Sequence, residues 1–391
     1  MITPTEEQNR ALRAISDWYK NSKKQYFYLA GYAGTGKTAI AKLAVDACGI
    51  NPDGQDVVYA TFTGKASLVM RSNGMPATTI HQLIYIYDGE DDEGNLLFRK
   101  AGESSIQSAK LVVIDEVSMV DTRTANDLFA FGKKILVLGD PAQLDPPKAS
   151  GFFTNQEPDF FLTEIHRQAL ENPIIRYAHV VREGGNIPYG DHGSVRKISF
   201  EDCSKEEFRT ASQILVGKNK TRIDMNAMML QIHGHPLWYP TTPDIKLICL
   251  RNYYDYGLTN GTIFKTSSLL TNDVNIDKRV MSQEIFYDGW EKHDRRRISM
   301  FIGEFEEVWN PRSKMQIAQD KDFINETFHQ DGNRIVMADF GYAITVHKSQ
   351  GSQYNNVILY DDNFLVWDKE PRKKWLYTAI TRAIDTVTIV V

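Results

Sequence analysis

Three cysteines in 391 residues, Cys48, Cys203 and Cys249, are too few and too widely spaced for a disulfide framework or a thiolate metal site. They read as small buried hydrophobes in a reducing, cytoplasmic setting. The nine histidines show no paired ligand spacing, and the neighbours His233, His235 and Trp238 match no site pattern. No apolar run approaches membrane-spanning length, and the opening MITPTEEQNR is polar and acidic, unlike a signal peptide. Positive charge is also scarce, with 45 Lys and Arg against 50 Asp and Glu for a net −5. A protein that coats nucleic acid through a basic surface is usually far more basic. The balance counts against that class and leaves room only for a narrow basic channel. The length suffices for two or three domains with proper cores.

What is present begins with Tyr26 to Thr38, YFYLAGYAGTGKT. An apolar run reads as a short buried strand, breaks into Gly31-Tyr-Ala-Gly34-Thr35-Gly36-Lys37-Thr38, and passes into the helix-prone AIAKLAVDA. This is G-x-x-x-x-G-K-[ST] in its strand–turn–helix context, a phosphate-binding loop. Glycines let backbone N–H groups converge on phosphate oxygens, and a helix N-terminus adds partial positive charge. Lys37 would reach the β- and γ-phosphates, and the Thr38 hydroxyl would hold Mg²⁺. A glycine-rich turn before a helix is the plainer alternative.

The rest of the chain has the rhythm of an α/β protein. Pro4-Thr5-Glu6-Glu7-Gln8 opens a helix with a capping box, and Gln8 is at minimum part of that cap. A second strand, Val57 to Thr61, leads into Phe62-Thr63-Gly-Lys-Ala66. Thr78-Thr-Ile-His81-Gln-Leu starts a short helix. Ile84 to Tyr87 and Leu96 to Lys100 then flank the acidic tip Asp88 to Asn95. That pattern is a projecting β-hairpin or a solvated surface excursion. Leu111 to Ile114 and Ile135 to Leu138 are continuous apolar runs, as in parallel strands buried on both faces. They end in Asp115-Glu116 and in Gly139-Asp-Pro-Ala-Gln143-Leu-Asp-Pro146, which puts polar motifs on the carboxyl edge of one sheet. A second α/β set begins near Leu162-Thr-Glu-Ile-His-Arg167, with a strand at Ile214 to Val216 and a helix from Ile223 to Leu230. Short β-prone runs with Gly and Asn turns predict a small all-β insert from Asp244 to about Trp309, in which Glu291 to Arg297 is a solvated loop or a DNA-facing segment. The α/β pattern returns at Tyr342 to Val346 and Val357 to Tyr360. A helix from Lys374 to Ala383 and a strand from Thr386 to Val391 complete it, leaving no appended module expected.

As chemistry, Asp115 suits Mg²⁺ coordination through water, and Glu116 suits polarising an attacking water. Gln143 can hydrogen-bond the γ-phosphate or that water, unless GDPAQLDP is only a proline-rich turn. Arg167 and Arg382, in segments with few other charges, are candidates for stabilising the transition state from across an interdomain cleft.

The ordered set GYAGTGKT, ATFTGKA, TTIHQL, VVIDEVSM, LGDPAQLDP, LTEIHRQ, YAITVHKSQGSQY and LYTAITRA resembles the motif series of superfamily 1 helicases, and within them the RecD-like and Dda-like branch. The resemblance implies an α/β fold of two tandem RecA-like parallel-sheet P-loop domains. The first spans 1–163 and carries a pin hairpin at about 84–100; the second is built from 164–240 and 331–391, with an SH3-like β insertion at 241–330. It implies a monomeric, ATP- and Mg²⁺-dependent motor that moves on single-stranded DNA in the 5′→3′ direction and splits duplex at single/double-strand junctions. Replication or recombination proteins are the implied partners. By position, Gln8 would read the adenine edge, while Gly34, Thr35, Gly36, Lys37 and Thr38 would hold the phosphates. Gln350 and Gly351 would sense the nucleotide from the second domain. Thr63, His81, Thr345, His347 and Lys348 would line the single-strand groove, and Phe98 would be an apolar wedge on the pin. The acidic hairpin tip and the stretch Ala149 to Phe160 depart from the pattern. A nucleotide switch that binds DNA without moving, and a helicase-like subunit of a nuclease complex, are the competing readings.

Overall fold

The computed structural model describes residues 3–90, 96–101, 105–146, 151–165, 171–253, 256–267, 273–275, 279–287, 295–326, 329–330 and 333–391. Helix α1 (Glu6–Asn21) starts where the sequence places it. Thr5 accepts from the Gln8 N–H, the Gln8 side chain returns to the Thr5 N–H, and Glu6 and Glu7 face the positive end of the helix. Gln8, Ala11, Ile15 and Trp18 are spaced three or four residues apart and form its buried face.

Six strands make the first sheet: β1 (Tyr26–Gly31), β2 (Val57–Thr61), β3 (Thr78–Thr79), β6 (Leu111–Asp115), β7 (Lys134–Gly139) and β8 (Phe160–Leu162), in the order β3-β2-β6-β7-β1-β8. Every pairing is parallel. All five residues of β6 are buried, as expected of a strand covered on both faces. Helix α2 (Ala41–Ala47) follows β1 through a 3₁₀ turn at Thr38–Ile40, and α3 (Gly64–Ser72) follows β2. The carboxyl ends of β1, β6 and β7 lie side by side, which brings the phosphate loop, Asp115-Glu116 and Asp140–Gln143 together.

The second sheet runs β20 (Ala343–Thr345), β11 (Gln213–Val216), β21 (Tyr354–Tyr360), β22 (Ala383–Val390), β10 (Val195–Ile198), β9 (Gly190–Asp191), parallel except for the last pair. Helices α4 (Pro173–Arg182) and α5 (Lys369–Ile380) pack on it and on each other. α5 starts five residues earlier than the sequence pattern indicates, and Ala383 already belongs to β22. The helix expected from Ile223 to Leu230 extends over Asn219–His233 and ends at Gly234 in the left-handed conformation.

The third sheet is mainly antiparallel, in the order β17 (His329–Gln330), β18 (Asn333–Val336), β16 (Arg295–Phe301), β15 (Val280–Phe286), β13 (Ile263–Thr266), β12 (Lys246–Cys249), β19 (Ala338–Phe340), with β14 (Asp273–Asn275) on β15. Three sequence expectations change here. The insert is not all-β, because it includes helix Lys314–Glu326 and a 3₁₀ segment at Ile302–Val308. Residues 333–340 pair within this sheet, so the second parallel sheet resumes after Gly341 and not at 331. Arg295, Arg296 and Arg297 are strand residues opposite Phe286, Ile285 and Glu284 rather than loop.

A separate two-stranded hairpin, β4 (Tyr85–Glu90) and β5 (Leu96–Lys100), leaves the first domain after Ile84, with Phe98 opposite Tyr87. Most of its acidic tip, 91–95, lies outside the described residues. Part of the unassigned stretch 149–160 is packing: Phe153 is fully buried against Tyr26 and Phe129, at ring separations of 5.5 and 6.0 Å.

Candidate nucleotide site and interdomain junction

The phosphate loop bends through Gly34 and Gly36, whose φ values of 84° and 77° are strained for any side chain. Thr35, fully buried, ties its hydroxyl to the Tyr32 carbonyl at 2.8 Å. Lys37 Nζ donates to the Gly31 and Tyr32 carbonyls at 2.6 and 3.0 Å, so the loop's cation is curled over its own backbone. The Thr38 hydroxyl donates to Asp115 Oδ2 at 2.5 Å, and Asp115 Oδ1 accepts from the Glu116 N–H at 2.8 Å. Burial, with Glu116 beside it, pushes the Asp115 carboxyl up to about 6.

Glu116 sits at φ 55°, ψ 48°, a left-handed conformation that costs a side-chain-bearing residue about 1–2 kcal/mol. Nothing in the sequence signals this strain. It turns the backbone sharply at the end of β6, and strain of this kind concentrates at functional sites. In the turn after β7, Gln143 lines the same cavity, and its buried Oε1 has no partner among the described residues.

That cavity, about 740 Å³, is lined by Lys37, Thr38, Asp115, Glu116 and Gln143 from the first domain and by Gln353 and Arg382 from the second. Arg382 is 4% exposed and is aligned by three protein acceptors: the Thr378 carbonyl at 3.1 Å, the Ser352 carbonyl at 3.3 Å and the Thr381 hydroxyl at 3.2 Å. Arg167 lies outside the described residues. Gln8, 2% exposed, donates to the Thr35 carbonyl at 3.0 Å while serving as the α1 cap, so it braces the loop from behind. Gly351 does not line this cavity. It has φ 71°, and a Cβ there would stand 2.4 Å from the Thr63 hydroxyl, so it is a contact between domains. Gln350 likewise crosses the interface, donating to the Leu144 carbonyl at 2.6 Å.

The donor set fits a nucleoside triphosphate with a divalent cation. The loop glycines cradle backbone N–H groups, Thr38 and Asp115 place two oxygens together, and Gln143 keeps an unpartnered acceptor. No cluster of three or more metal-ligating side chains exists among the described residues.

Thr63, Thr345, His347 and Lys348, four of the residues expected to face a nucleic acid, lie where the three sheets meet, whereas His81 packs against Phe62 and Tyr85 within the first domain. Thr63 caps α3 and touches Gly351, and a Cβ on Gly64 would stand 2.6 Å from the Thr259 hydroxyl of the β-rich region. Lys348 donates to Asn260 of the same loop, and Lys65 lies 4.5 Å from the centre of the Tyr354 ring. Thr345 accepts from the Lys348 N–H at 3.3 Å. His81, 5.2 Å from the Tyr85 ring, and His347, 6.1 Å from Phe364, are both held below the ordinary histidine range by burial. They are therefore neutral near pH 7. Lys65 on α3 and the loop residues Thr259 and Asn260 escaped sequence reasoning, since they acquire meaning only from what they face.

Two parallel-sheet domains with a phosphate loop in the first and a buried arginine entering from the second define a tandem RecA-like P-loop protein. Residues 3–199 match the AAA domain family and 340–390 match the UvrD-like helicase C-terminal domain. The chain belongs to the AAA domain family and is similar to superfamily 1 helicases of the RecD and Dda type. It is 26% identical over 390 residues to the ATP-dependent RecD2 DNA helicase of Deinococcus radiodurans, covering 91% of this chain and 46% of that protein. It is 31% identical over 194 residues to the ATP-dependent DNA helicase dda of Enterobacteria phage T4, covering 46% of this chain and 43% of that one. The chain thus spans less than half the length of these curated relatives. A Pif1 helicase structure at forked double-stranded DNA superposes with a TM-score of 0.57 at 17% identity over 99% of this chain and 92% of that one. Pif1 from Bacteroides with ADP-AlF3 and single-stranded DNA gives 0.53 at 16%, over 100% and 92%. These two likenesses concern the fold. No described helix is long and apolar enough to cross a membrane.

Proposed function

We propose that the chain is an ATP-driven DNA helicase that moves 5′→3′ on single-stranded DNA and opens duplex at a junction. The observation that carries this reading is the composite cavity: hydrolytic groups from one domain and buried Arg382 from the other line the same space. A site built from two bodies ties the chemistry to their relative position.

In this reading Gln8 and the loop amides orient the nucleotide, and Lys37 exchanges its own backbone carbonyls for phosphate oxygens. Thr38 and Asp115 would hold Mg²⁺, which neutralises charge on the phosphates. Glu116, fixed by its left-handed turn, accepts a proton from the attacking water, and Gln143 Oε1 accepts that water's other hydrogen. Arg382, with Arg167 as its second, stabilises the charge that develops. Thr63, His81, Thr345, His347 and Lys348 line the strand's path, where neutral imidazoles and hydroxyls give weak, sequence-tolerant contacts. The β4–β5 hairpin is the pin, with Phe98 as its apolar wedge, and the third sheet is the SH3-like insertion. The chain acts as a monomer, and replication or recombination proteins are its partners.

ATP hydrolysis with and without single-stranded DNA tests the reading. Stimulation by the strand is expected. A rate indifferent to DNA would favour a nucleotide switch instead.

A further inference from the structure

Helix α5 reaches into the first domain at Tyr377, a residue inside the LYTAITRA motif to which the sequence analysis gives no role. Tyr377, fully buried, accepts from the Ala33 N–H of the phosphate loop at 2.7 Å and donates to Asp140 Oδ2 at 2.6 Å. The other Asp140 oxygen accepts from the Ala142 N–H at 2.9 Å, which sets the turn leading to Gln143. One residue along the helix, Thr378 accepts from the Leu144 N–H at 2.9 Å, and its carbonyl in turn accepts from Arg382. A single hydroxyl thus joins three parts: the phosphate loop, the turn that carries Gln143, and the helix that leads to Arg382.

We propose that Tyr377 is a positioning residue that holds Gln143 and Arg382 in mutual register across the cleft and so couples hydrolysis to domain closure. The proposal rests on the helicase reading and deepens it. Both Tyr377 bonds need α5 against the first domain, so they favour the apposed arrangement and are lost when the domains part. The acceptor, Asp140, is buried and charged when ionised, and hydrogen bonds to such groups are the stronger kind. Burial, together with the Asp140 charge, holds the Tyr377 hydroxyl well above the usual phenol range, so it remains a donor at any working pH. A buried tyrosine that only fills space needs the ring and not the hydroxyl. Phenylalanine therefore separates the two roles.

The test compares Tyr377→Phe with the parent chain in three readouts: binding of a fluorescent ATP analogue, ATP hydrolysis saturated with oligo(dT), and thermal denaturation. The expected result is analogue affinity within about threefold of the parent and a kcat with DNA lowered roughly 10- to 100-fold, KM for ATP being nearly unchanged. A DNA-stimulated kcat equal to the parent's overturns the proposal, and so does a parallel loss of binding and turnover. If Tyr377→Phe denatures at the assay temperature, Thr378→Val, which removes the partner of Leu144 N–H beside it, takes its place under the same criteria. A parent chain with no DNA-stimulated hydrolysis would instead sink the functional reading itself.

Discussion

At the residue scale, the account turns on a few side chains whose positions are set by backbone geometry. Glu116→Gln keeps the shape of the strained turn and removes the proton acceptor. Nucleotide binding should stay near the parent value while turnover drops roughly 10²- to 10⁴-fold; full turnover would take the role away from Glu116. Glu7 gives a test of stability. Burial opposes its ionisation, but the Glu164 N–H, the Thr163 hydroxyl and N–H, and nearby Arg10 outweigh it, leaving the carboxyl below its ordinary 4.5. A depressed carboxyl stabilises the fold above the unfolded value and loses that contribution as pH falls through the folded one. Glu7→Gln should therefore melt at lower temperature than the parent near pH 7, and the gap should narrow below about pH 4.5. A gap constant down to about pH 3 would mean that the charge is not its source. That Lys37, Thr38 and Asp115 would come together was legible in the sequence because the phosphate loop is a local motif whose partners follow in fixed order. The strain at Glu116 and the bridge through Tyr377 were not. The first is a backbone state that any residue type conceals, and the second joins residues 344 positions apart.

At the element scale, β1, β2, β6, β7, β11, β20 and β21 announced themselves as short, mostly apolar runs, whereas the short strands β3, β8, β9 and β10 did not. The third sheet was read only in part. β18 and β19 lie next to the returning α/β segment in sequence, and their membership is decided by pairing with β16 and β12, which local pattern cannot reveal. The start of α5 was also missed, since Asp368 caps it without a side-chain hydrogen bond and Pro371 lies in its first turn. The β4–β5 hairpin is tied to the first domain at its base, where Tyr85 donates to Asp127 at 2.5 Å and Lys100 pairs with the same carboxylate at 2.6 Å. Duplex separation assigned to this hairpin should be separable from movement. Phe98→Ala should slow unwinding while leaving translocation on single strands intact, read by strand displacement alongside a streptavidin-displacement assay. Equal loss in both would reduce Phe98 to packing.

At the scale of the whole molecule, three sheets meet around one junction, and Gly351 marks how closely two of them approach. Gly351→Ala puts a side chain where φ is 71° and the Thr63 hydroxyl is 2.4 Å away, so the apposed arrangement should lose about 1–2 kcal/mol or more. DNA-stimulated hydrolysis should fall while binding of a nucleotide analogue by the first domain persists; unchanged stimulation would show that this contact does not govern closure. The acidic overall charge is consistent with a strand held by a few local contacts, and the salt dependence of DNA binding should be shallow. The most direct measurement of the central claim is strand displacement on duplexes carrying either a 5′ or a 3′ single-stranded tail, with and without ATP. The account predicts ATP-dependent separation from the 5′ tail, abolished by Glu116→Gln. Separation only from the 3′ tail, or none from either while ATP is hydrolysed, would contradict it.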